Sequence, residues 1–313
     1  MRCLRPDTRL SQDLPYHARF GGLDWSADVP LDRFDPAPES APAAIRITRQ
    51  DRLSMSMASR TVGRARISDN SVRFDWFDEV SFELVDGSRI DWQPGPDWRG
   101  RFPVSFFSSM AAITLAWRGI LPLHASAVVL NDRAWLVAGN PAAGKSTLAA
   151  ELVEAGAMLL ADDLTALSPG PVPRAWRGRP EMRLHPKTAE RIEQVGEPEP
   201  TDDERGKLLV RPVSRAVDRA WPVGGILLLS QTAADGLGPG ETAIAVGSLL
   251  FRPKIVSALP GRALVRAGLL ELARTVPMAI VPPVSGFSRQ EREARATSVF
   301  GAIARLAKVK SAR

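Results

Sequence analysis

Residues 139–146 (GNPAAGKS) carry the clearest chemical signal in this sequence. They fit G-x-x-x-x-G-K-[ST], a pattern in which backbone N–H groups, a lysine and a hydroxyl converge on a polyphosphate. The pattern predicts that Lys145 reaches the β- and γ-phosphates of a nucleotide and that the Ser146 hydroxyl binds Mg²⁺. The residues predicted to contact the nucleotide are Gly139, Asn140, Pro141, Ala142, Ala143, Gly144, Lys145, Ser146 and Thr147.

The segments on either side of this loop have the secondary structure that a phosphate site needs. Residues 134–138 are an apolar run of strand length, and residues 147–154 have a helical pattern. Loop amides and a helix N-terminus then point at one anion. Upstream, residues 124–130 and the turn Asn131-Asp132 predict a hairpin whose second strand leads into the loop.

Two carboxylates follow the next predicted strand. Residues 157–161 are wholly apolar, and Asp162 and Asp163 come directly after them. A carboxylate at a strand end beside a phosphate loop can hold Mg²⁺. Its neighbour points to the other face and can accept a proton from an attacking hydroxyl. The alternative is an acidic loop or helix cap without a chemical role.

A histidine and several cations complete the candidate site. His124 begins the strand before the loop, where it can stabilise phosphate charge, orient a carboxylate, or simply be hydrogen-bonded at a strand start. Glu181 is a candidate for the metal shell. Downstream cations suit phosphates or an acidic substrate end, with solvated surface as the alternative: Arg183, His185, Lys187, Lys207 and Arg211.

Composition narrows the function classes. The chain has 313 residues, a net charge of +6 and one cysteine, Cys3, so no disulfide can form within it. This cysteine usage fits a reducing cytoplasm. The basic excess is scattered, which favours a solvated surface over nucleic-acid binding. No apolar run is long enough to span a membrane, and the first residues have no apolar signal core, so a cytoplasmic protein is expected.

The chain is expected to have two parts, residues 1–100 and 101–313. Residues 1–43 are rich in Pro and Asp, and residues 44–93 alternate as a small antiparallel sheet with a hairpin at Asp86-Gly87. This β-rich module either caps the main domain or recognises a partner. The later part is expected to contain helices over 102–118, 186–194, 249–259 and 261–275, and a last helix capped by Ser288 and Glu291. Its expected strands are a central one over 223–229, another over 278–281 and an edge strand over 242–246.

The histidine-bearing hairpin, the loop, a short helix and a strand ending in Asp-Asp together resemble the HPr kinase/phosphorylase family and its PEP-carboxykinase-like P-loop fold. The matching segments are HASAVV from His124, residues 139–146, and LADD over 160–163, within a resemblance covering about residues 121–167. It implies an α/β P-loop kinase core with a small N-terminal β-rich module, using ATP and Mg²⁺. By resemblance, Lys145 and Ser146 bind phosphate and Mg²⁺, Asp162 is the metal ligand, and Asp163 is the base toward a serine hydroxyl. His124 becomes an active-site histidine.

The departures from that family narrow the expected acceptor. HPr kinases carry Glu-x-Arg-Gly-Leu-Gly after the Asp pair, whereas only Glu181-Met-Arg183 matches here. The pattern is similar to HPr-kinase-related proteins of ribosomal peptide pathways, among them kinases of the C-terminal serine of lasso-peptide precursors. The expected partner is therefore a precursor peptide or small protein. The alternatives are HPr, a small-molecule acceptor, or a nucleotide-binding regulator without transfer, and a homo-oligomer is left open.

Overall fold

The computed structural model describes residues 14–53, 59–192, 198–200, 206–231, 237–286 and 288–311. The chain has a mixed α/β structure, and the described strands form sheets of nine, eight and three strands. None of the helices in this described part is both long enough and apolar enough to cross a membrane.

The first sheet lies in residues 16–94 and has the order β3-β1-β2-β4-β9-β8-β7-β6-β5. Its strands are β1 (Tyr16–Phe20), β2 (Leu23–Ala27), β3 (Asp35–Pro36), β4 (Ile45–Arg49), β5 (Arg60–Val62), β6 (Ala65–Ile67), β7 (Ser71–Trp76), β8 (Val80–Val85) and β9 (Arg89–Pro94). The hairpin predicted at Asp86-Gly87 is confirmed, and both residues have positive φ. The purely antiparallel sheet predicted over 44–93 is wrong, because β4 pairs parallel with both β2 and β9. Alternating apolar residues are compatible with either direction of pairing.

The strands after residue 120 are β10 (Leu121–Leu123), β11 (Ser126–Leu130), β12 (Arg133–Gly139), β13 (Met158–Ala161), β14 (Thr165–Ser168), β15 (Arg174–Ala175), β16 (Met182–Leu184), β17 (Glu199–Pro200), β18 (Leu208–Val210), β19 (Trp221–Leu229) and β20 (Met278–Val281). The second sheet has the order β10-β14-β15-β19-β12-β11-β13, with β20 also paired to β19, and the third has the order β16-β18-β17. The strand predicted over 124–130 starts at Ser126, since His124 and Ala125 lie between β10 and β11.

The directions of the strands place several strand ends at one edge of the second sheet. β12, β19 and β20 are parallel, and β11 is antiparallel to both β12 and β13. β13 therefore runs in the same direction as β12. The carboxyl ends of β12, β13, β19 and β20 lie at the same edge as the amino end of β11.

The helices are α1 (Ala111–Trp117), α2 (Lys145–Glu154), α3 (Pro186–Ala189), α4 (Pro239–Ser248), α5 (Pro253–Val256), α6 (Arg262–Thr275) and α7 (Arg289–Ser311), and a π-helical segment, Phe106–Met110, leads into α1. The predicted cap of α7 is confirmed. Ser288 Oγ lies 2.6 Å from Glu291 Oε2, and the Glu291 N–H donates back to Ser288 Oγ.

Several predicted helix and strand bounds are wrong. Residues 242–246 lie inside α4, because Gly238 and Pro239 begin a helix in which Glu241 caps the Gly238 N–H at 2.8 Å. Only Pro253–Val256 of the helix predicted over 249–259 is helical. Arg252 has φ 51°, a left-handed conformation that interrupts a helix. α3 ends at Ala189, and residues 193–197 lie outside the described residues. The helix expected over 102–118 starts at Phe106, with a π-helical turn.

β12 is buried on both faces by two apolar clusters. Leu136 and Ala138 face a cluster that contains the first sheet and α1, while Trp135 and Val137 face α2 and α7. The first cluster includes side chains from both sides of residue 100. Phe34 and Phe107, for example, meet edge-on with ring centroids 5.1 Å apart. β12 is thus fixed from both faces, and the loop that follows it starts from a rigid position.

Candidate active site

The glycine-rich loop joins the end of β12 to the start of α2. Gly144 is the left-handed N-cap of α2 with φ 96°, and Gly139 has φ 148°. A Cβ at Gly144 would lie 2.5 Å from the Val284 Cβ, and one at Gly139 would lie 2.9 Å from the Leu229 carbonyl oxygen. Both positions therefore require glycine for conformation and for space. The loop holds the N-terminus of α2 at the gathered edge of the sheet, as a phosphate site needs.

Lys145 lies across this loop. Its Nζ donates to the carbonyls of Gly139 at 3.1 Å and Asn140 at 3.3 Å, and the residue is 8% exposed. Burial lowers the pKa of Lys145, while Asp163 and Asp162 act in the opposite direction. The ammonium group is thus held within reach of two carboxylates at the mouth of the loop.

Asp162 is buried and fixed by two donors. Ser126 Oγ donates to Oδ1 at 2.6 Å, and the Arg183 backbone N–H donates to Oδ2 at 3.0 Å. Sequence reasoning missed Ser126, although it begins the strand antiparallel to β13 and therefore faces the end of that strand. Each carboxylate oxygen keeps a lone pair for a further ligand.

Asp163 points in a different direction, into the cleft. Its backbone is left-handed with φ 67°, and its side chain is 26% exposed. Oδ1 lies 3.4 Å from His124 Nδ1, and Oδ2 lies 3.5 Å from a terminal nitrogen of Arg179. His124 Nδ1 also lies 3.1 Å from the Asp163 carbonyl oxygen. A protonated Nδ1 donates to that carbonyl and holds the two residues together.

The cleft around these groups has a volume of about 380 Å³. Its walls combine the loop, the carboxylate base candidate and four predicted cationic positions, so a polyanion suits it. The lining residues are His124, Ser126, Pro141, Ala142, Gly144, Lys145, Ser146, Thr147, Asp163, Arg183, His185, Lys187, Thr188, Lys207 and Val284.

Two predicted substrate residues lie elsewhere. Glu181 is 2% exposed, does not line the cleft, and accepts from Arg33 at 2.6 Å and from Arg179 at 3.4 Å. Arg211 is half exposed and pairs with Glu199 at 2.5 Å. Glu181 therefore forms buried ion pairs with Arg33 and Arg179 instead of facing the cleft. Arg211 lies on the surface, paired with Glu199.

Arg179 is a site residue that the sequence did not reveal. Its side chain is 2% exposed and bridges Asp163 and Glu181. Burial lowers the pKa of Arg179, and the carboxylates of Asp163 and Glu181 oppose that effect. It follows Gly178 in a loop without periodicity, so its partners are defined only by the folded chain.

The donor set fits a magnesium nucleotide. Ser146 lines the cleft with a hydroxyl and Asp163 with a carboxylate, the hard oxygen donors that Mg²⁺ prefers. The predicted metal ligand Asp162 directly precedes Asp163, is 1% exposed and is not among the lining residues. Within the described ranges, no group of three or more His, Cys, Asp or Glu side chains can hold a metal by itself.

Comparison of the sequence with protein-family models gives no match, and comparison with curated proteins gives none either. Among solved structures, the chain is similar to the HPr(Ser) kinase/phosphatase from Coxiella burnetii, with 15% sequence identity and a TM-score of 0.30. The match covers 59% of this chain and 97% of that one.

Proposed function

We propose that this protein is an ATP-dependent kinase that transfers the γ-phosphoryl group to a serine hydroxyl of a peptide. One observation carries the proposal. A glycine loop with Lys145 and a carboxylate, Asp163, that is flanked by His124 and Arg179 share one cleft. A phosphate cradle beside an oriented base is the arrangement that phosphoryl transfer to a hydroxyl requires.

In this proposal the loop amides and Lys145 bind the ATP phosphates. Ser146 and Asp162 would hold Mg²⁺, which would neutralise phosphate charge when bound. Arg183, Lys187 and Lys207 line the same cleft and add positive charge around the triphosphate.

Asp163 is the base for the acceptor. Its carboxylate accepts the proton of the serine hydroxyl while the serine oxygen bonds to the γ-phosphorus. The bond between that phosphorus and the β,γ-bridging oxygen breaks, and ADP leaves with the electron pair. His124 and Arg179 lie 3.4 and 3.5 Å from the two carboxylate oxygens and hold the carboxylate in position at the cleft.

The proposed acceptor is a ribosomal precursor peptide of the lasso type, phosphorylated on its C-terminal serine. This part rests on the resemblance of residues 124–129, 139–146 and 160–163. HPr and small hydroxyl compounds are the acceptors against which it must be tested.

The test combines radiolabelled ATP, Mg²⁺ and three acceptor sets: peptides ending in serine, HPr, and small hydroxyl compounds. Mass spectrometry locates the transferred group. Lys145→Ala and Asp163→Asn are expected to lose nearly all transfer, since loss of a general base alone costs about 10²- to 10⁴-fold.

Asp132→Asn is the matched control, because Asp132 is 89% exposed in the turn between β11 and β12. It should retain full activity. Full phosphopeptide formation by Asp163→Asn would show that the base is misassigned. ATP binding without transfer to any acceptor would indicate a nucleotide-binding regulator instead.

A further inference from the structure

A second cavity adjoins the phosphate cleft. Its volume is about 520 Å³, and it shares His124 and Pro141 with the cleft. Its walls are loop residues 139–141, the end of β19, and the segment after α4 that contains Leu249, Phe251 and Arg252. We refer to it as the Arg252 groove. His124 lines the groove, and its Nδ1 lies 3.4 Å from Asp163 Oδ1, so the His124 end of the groove is close to Asp163.

The wall that carries Arg252 is fixed to the strand leading to His124. The His124 N–H donates to the Leu249 carbonyl at 2.6 Å, and the Phe251 N–H donates to the Pro122 carbonyl at 2.8 Å. Leu123 and Leu250 also form a β-bridge. These bonds hold the groove and the candidate base in a constant relation, as a preformed binding site requires.

Arg252 itself is anchored at one nitrogen and available at the others. Its Nε donates at 3.0 Å to Ser109 Oγ, and Ser109 is fully buried in the π-helical segment. None of the described residues accepts a hydrogen bond from its two terminal nitrogens, and the residue is exposed. Its left-handed φ of 51° is uncommon for a residue other than glycine. The backbone and the Ser109 contact thus present a guanidinium fork at the groove, the geometry that matches a carboxylate.

The phosphate cleft and the Arg252 groove differ in charge, so they suit different ligands. Lys145, Arg183, Lys187 and Lys207 line the phosphate cleft and suit a polyanion. In the groove, Arg252 is the only arginine or lysine among the lining residues that the structure describes, and most of the other walls are apolar. One fixed positive charge among apolar side chains suits a chain end with a single carboxylate.

We propose that the Arg252 groove binds the acceptor peptide and that Arg252 pairs with its terminal α-carboxylate. The inference rests on the proposed function and deepens it. Phe251 lies 5.7 Å from the His124 ring and 5.8 Å from the Arg252 guanidinium carbon, so His124 and Arg252 can be no farther apart than these two distances together. Since an extended residue spans about 3.3–3.6 Å, a carboxylate on Arg252 places the hydroxyl beside His124 within about the last three residues. The groove therefore selects chain ends over internal serines.

The experiment uses two fluorescein-labelled peptides of identical sequence ending in serine, one with a free carboxylate and one with a carboxamide. The full-length protein is assayed with each peptide for peptide KM and ATP KM. The amide is expected to raise the peptide KM about 10- to 100-fold, the usual effect of losing a hydrogen bond to a charged group. ATP KM should not change.

Substitutions test whether Arg252 is the residue that binds the terminal carboxylate of the peptide. Arg252→Ala should bind both peptides with the same weak affinity, and Arg252→Lys should retain part of the preference. Lys254→Ala removes an exposed cation of the same segment that does not line the groove, and should keep the full preference. The comparison of the two peptides on the unmodified protein needs no substitution, so a poorly folded variant does not affect it.

Peptide binding is measured separately by fluorescence anisotropy with a non-hydrolysable ATP analogue. Arg252-dependent preference for the acid peptide without any transfer would support the groove and contradict the kinase. Transfer with equal use of acid and amide would overturn the groove and leave the kinase standing. An Arg252→Ala variant that raises ATP KM instead of peptide KM would place the nucleobase in the groove and overturn the inference. Absence of binding by either peptide overturns it as well.

Discussion

Asp163 owes its position to contacts from three separate parts of the chain. His124 precedes β11, Arg179 follows β15, and Arg33 of the first sheet region pairs at 2.6 Å with the Glu181 that Arg179 also contacts. Arg179 is buried and lies 3.5 Å from Asp163 and 3.4 Å from Glu181, so it links the two carboxylates. These contacts fix the direction of the Asp163 side chain, while Glu181 stays outside the cleft.

Lys145 illustrates a conflict between stability and function at the level of one residue. The ammonium group is buried, and burial lowers its pKa from the ordinary value of 10.5. A lysine with a lowered pKa in the folded state destabilises that state wherever the side chain is charged in both states. The cost is fully present below the folded-state pKa and disappears as pH rises from there through 10.5.

Lys145→Met is therefore expected to raise the melting temperature at pH 7 while abolishing transfer. The gain should shrink as pH rises from 7 to 10, because the lysine loses its charge at a lower pH in the folded state than in the unfolded state. Scanning calorimetry in nucleotide-free buffer at both pH values measures it, with exposed Lys254→Met as the control. A gain of the same size at both pH values, or a loss at pH 7, would contradict the account.

At the level of elements, local signals in the sequence specified much of the site. Asn131 and Asp132 both tolerate positive φ, which predicted the turn into β12, and the loop pattern fixed where α2 begins. The apolar run before Asp162 indicated a strand. β12 and β13 run in the same direction, so the loop after β12 and Asp163 after β13 lie at the same edge of the sheet. Both line the same cleft.

Non-local partners could not be predicted in the same way. β4 pairs parallel with strands far from it in sequence, and alternation carries no information on direction. The small apolar residues of α4 fit a strand or a helix equally well, so its capping by Glu241 decided the outcome. Arg179 and Ser126 become site residues only through contacts with Asp163 and Asp162.

Two glycines that flank α2 allow the loop geometry to be tested. Gly144 precedes the helix and Gly156 follows it, with φ of 96° and 101°, so alanine causes similar backbone strain at either position. Only at Gly144 does an added Cβ collide, 2.5 Å from the Val284 Cβ, whereas nothing lies within 4 Å at Gly156. Gly144→Ala should therefore abolish nucleotide binding, and Gly156→Ala should cost about 1 kcal/mol of stability and keep binding.

Isothermal titration with ATP and Mg²⁺, together with urea unfolding, measures both effects. Gly144→Ala combined with Val284→Gly removes the collision and should recover part of the affinity. Normal ATP binding by Gly144→Ala alone would mean that the loop does not need its observed conformation.

At the scale of the whole molecule, the first sheet and the residues around the cleft are joined by a buried ionic contact. Asp35 of β3 accepts from Arg177 at 2.8 Å and from Arg215 at 3.0 Å, and it is 8% exposed. Arg177 lies two residues before Arg179. Together with the apolar cluster that includes both Phe34 and Phe107, this contact leads us to expect that the first sheet unfolds together with the second.

Asp35→Ala is expected to lower the free energy of unfolding by about 3–5 kcal/mol, because it leaves two partly buried arginines without their shared carboxylate. Glu293→Ala, which breaks the exposed pair of Arg289 and Glu293 on α7, should change it by about 0.5 kcal/mol or less. Urea unfolding followed by tryptophan fluorescence and far-ultraviolet circular dichroism measures both.

A shared core also requires that the two probes report one transition in the unmodified protein. A separate early transition of the first sheet, with Asp35→Ala affecting only that transition, would show that the sheet is an independent unit attached to the rest of the chain.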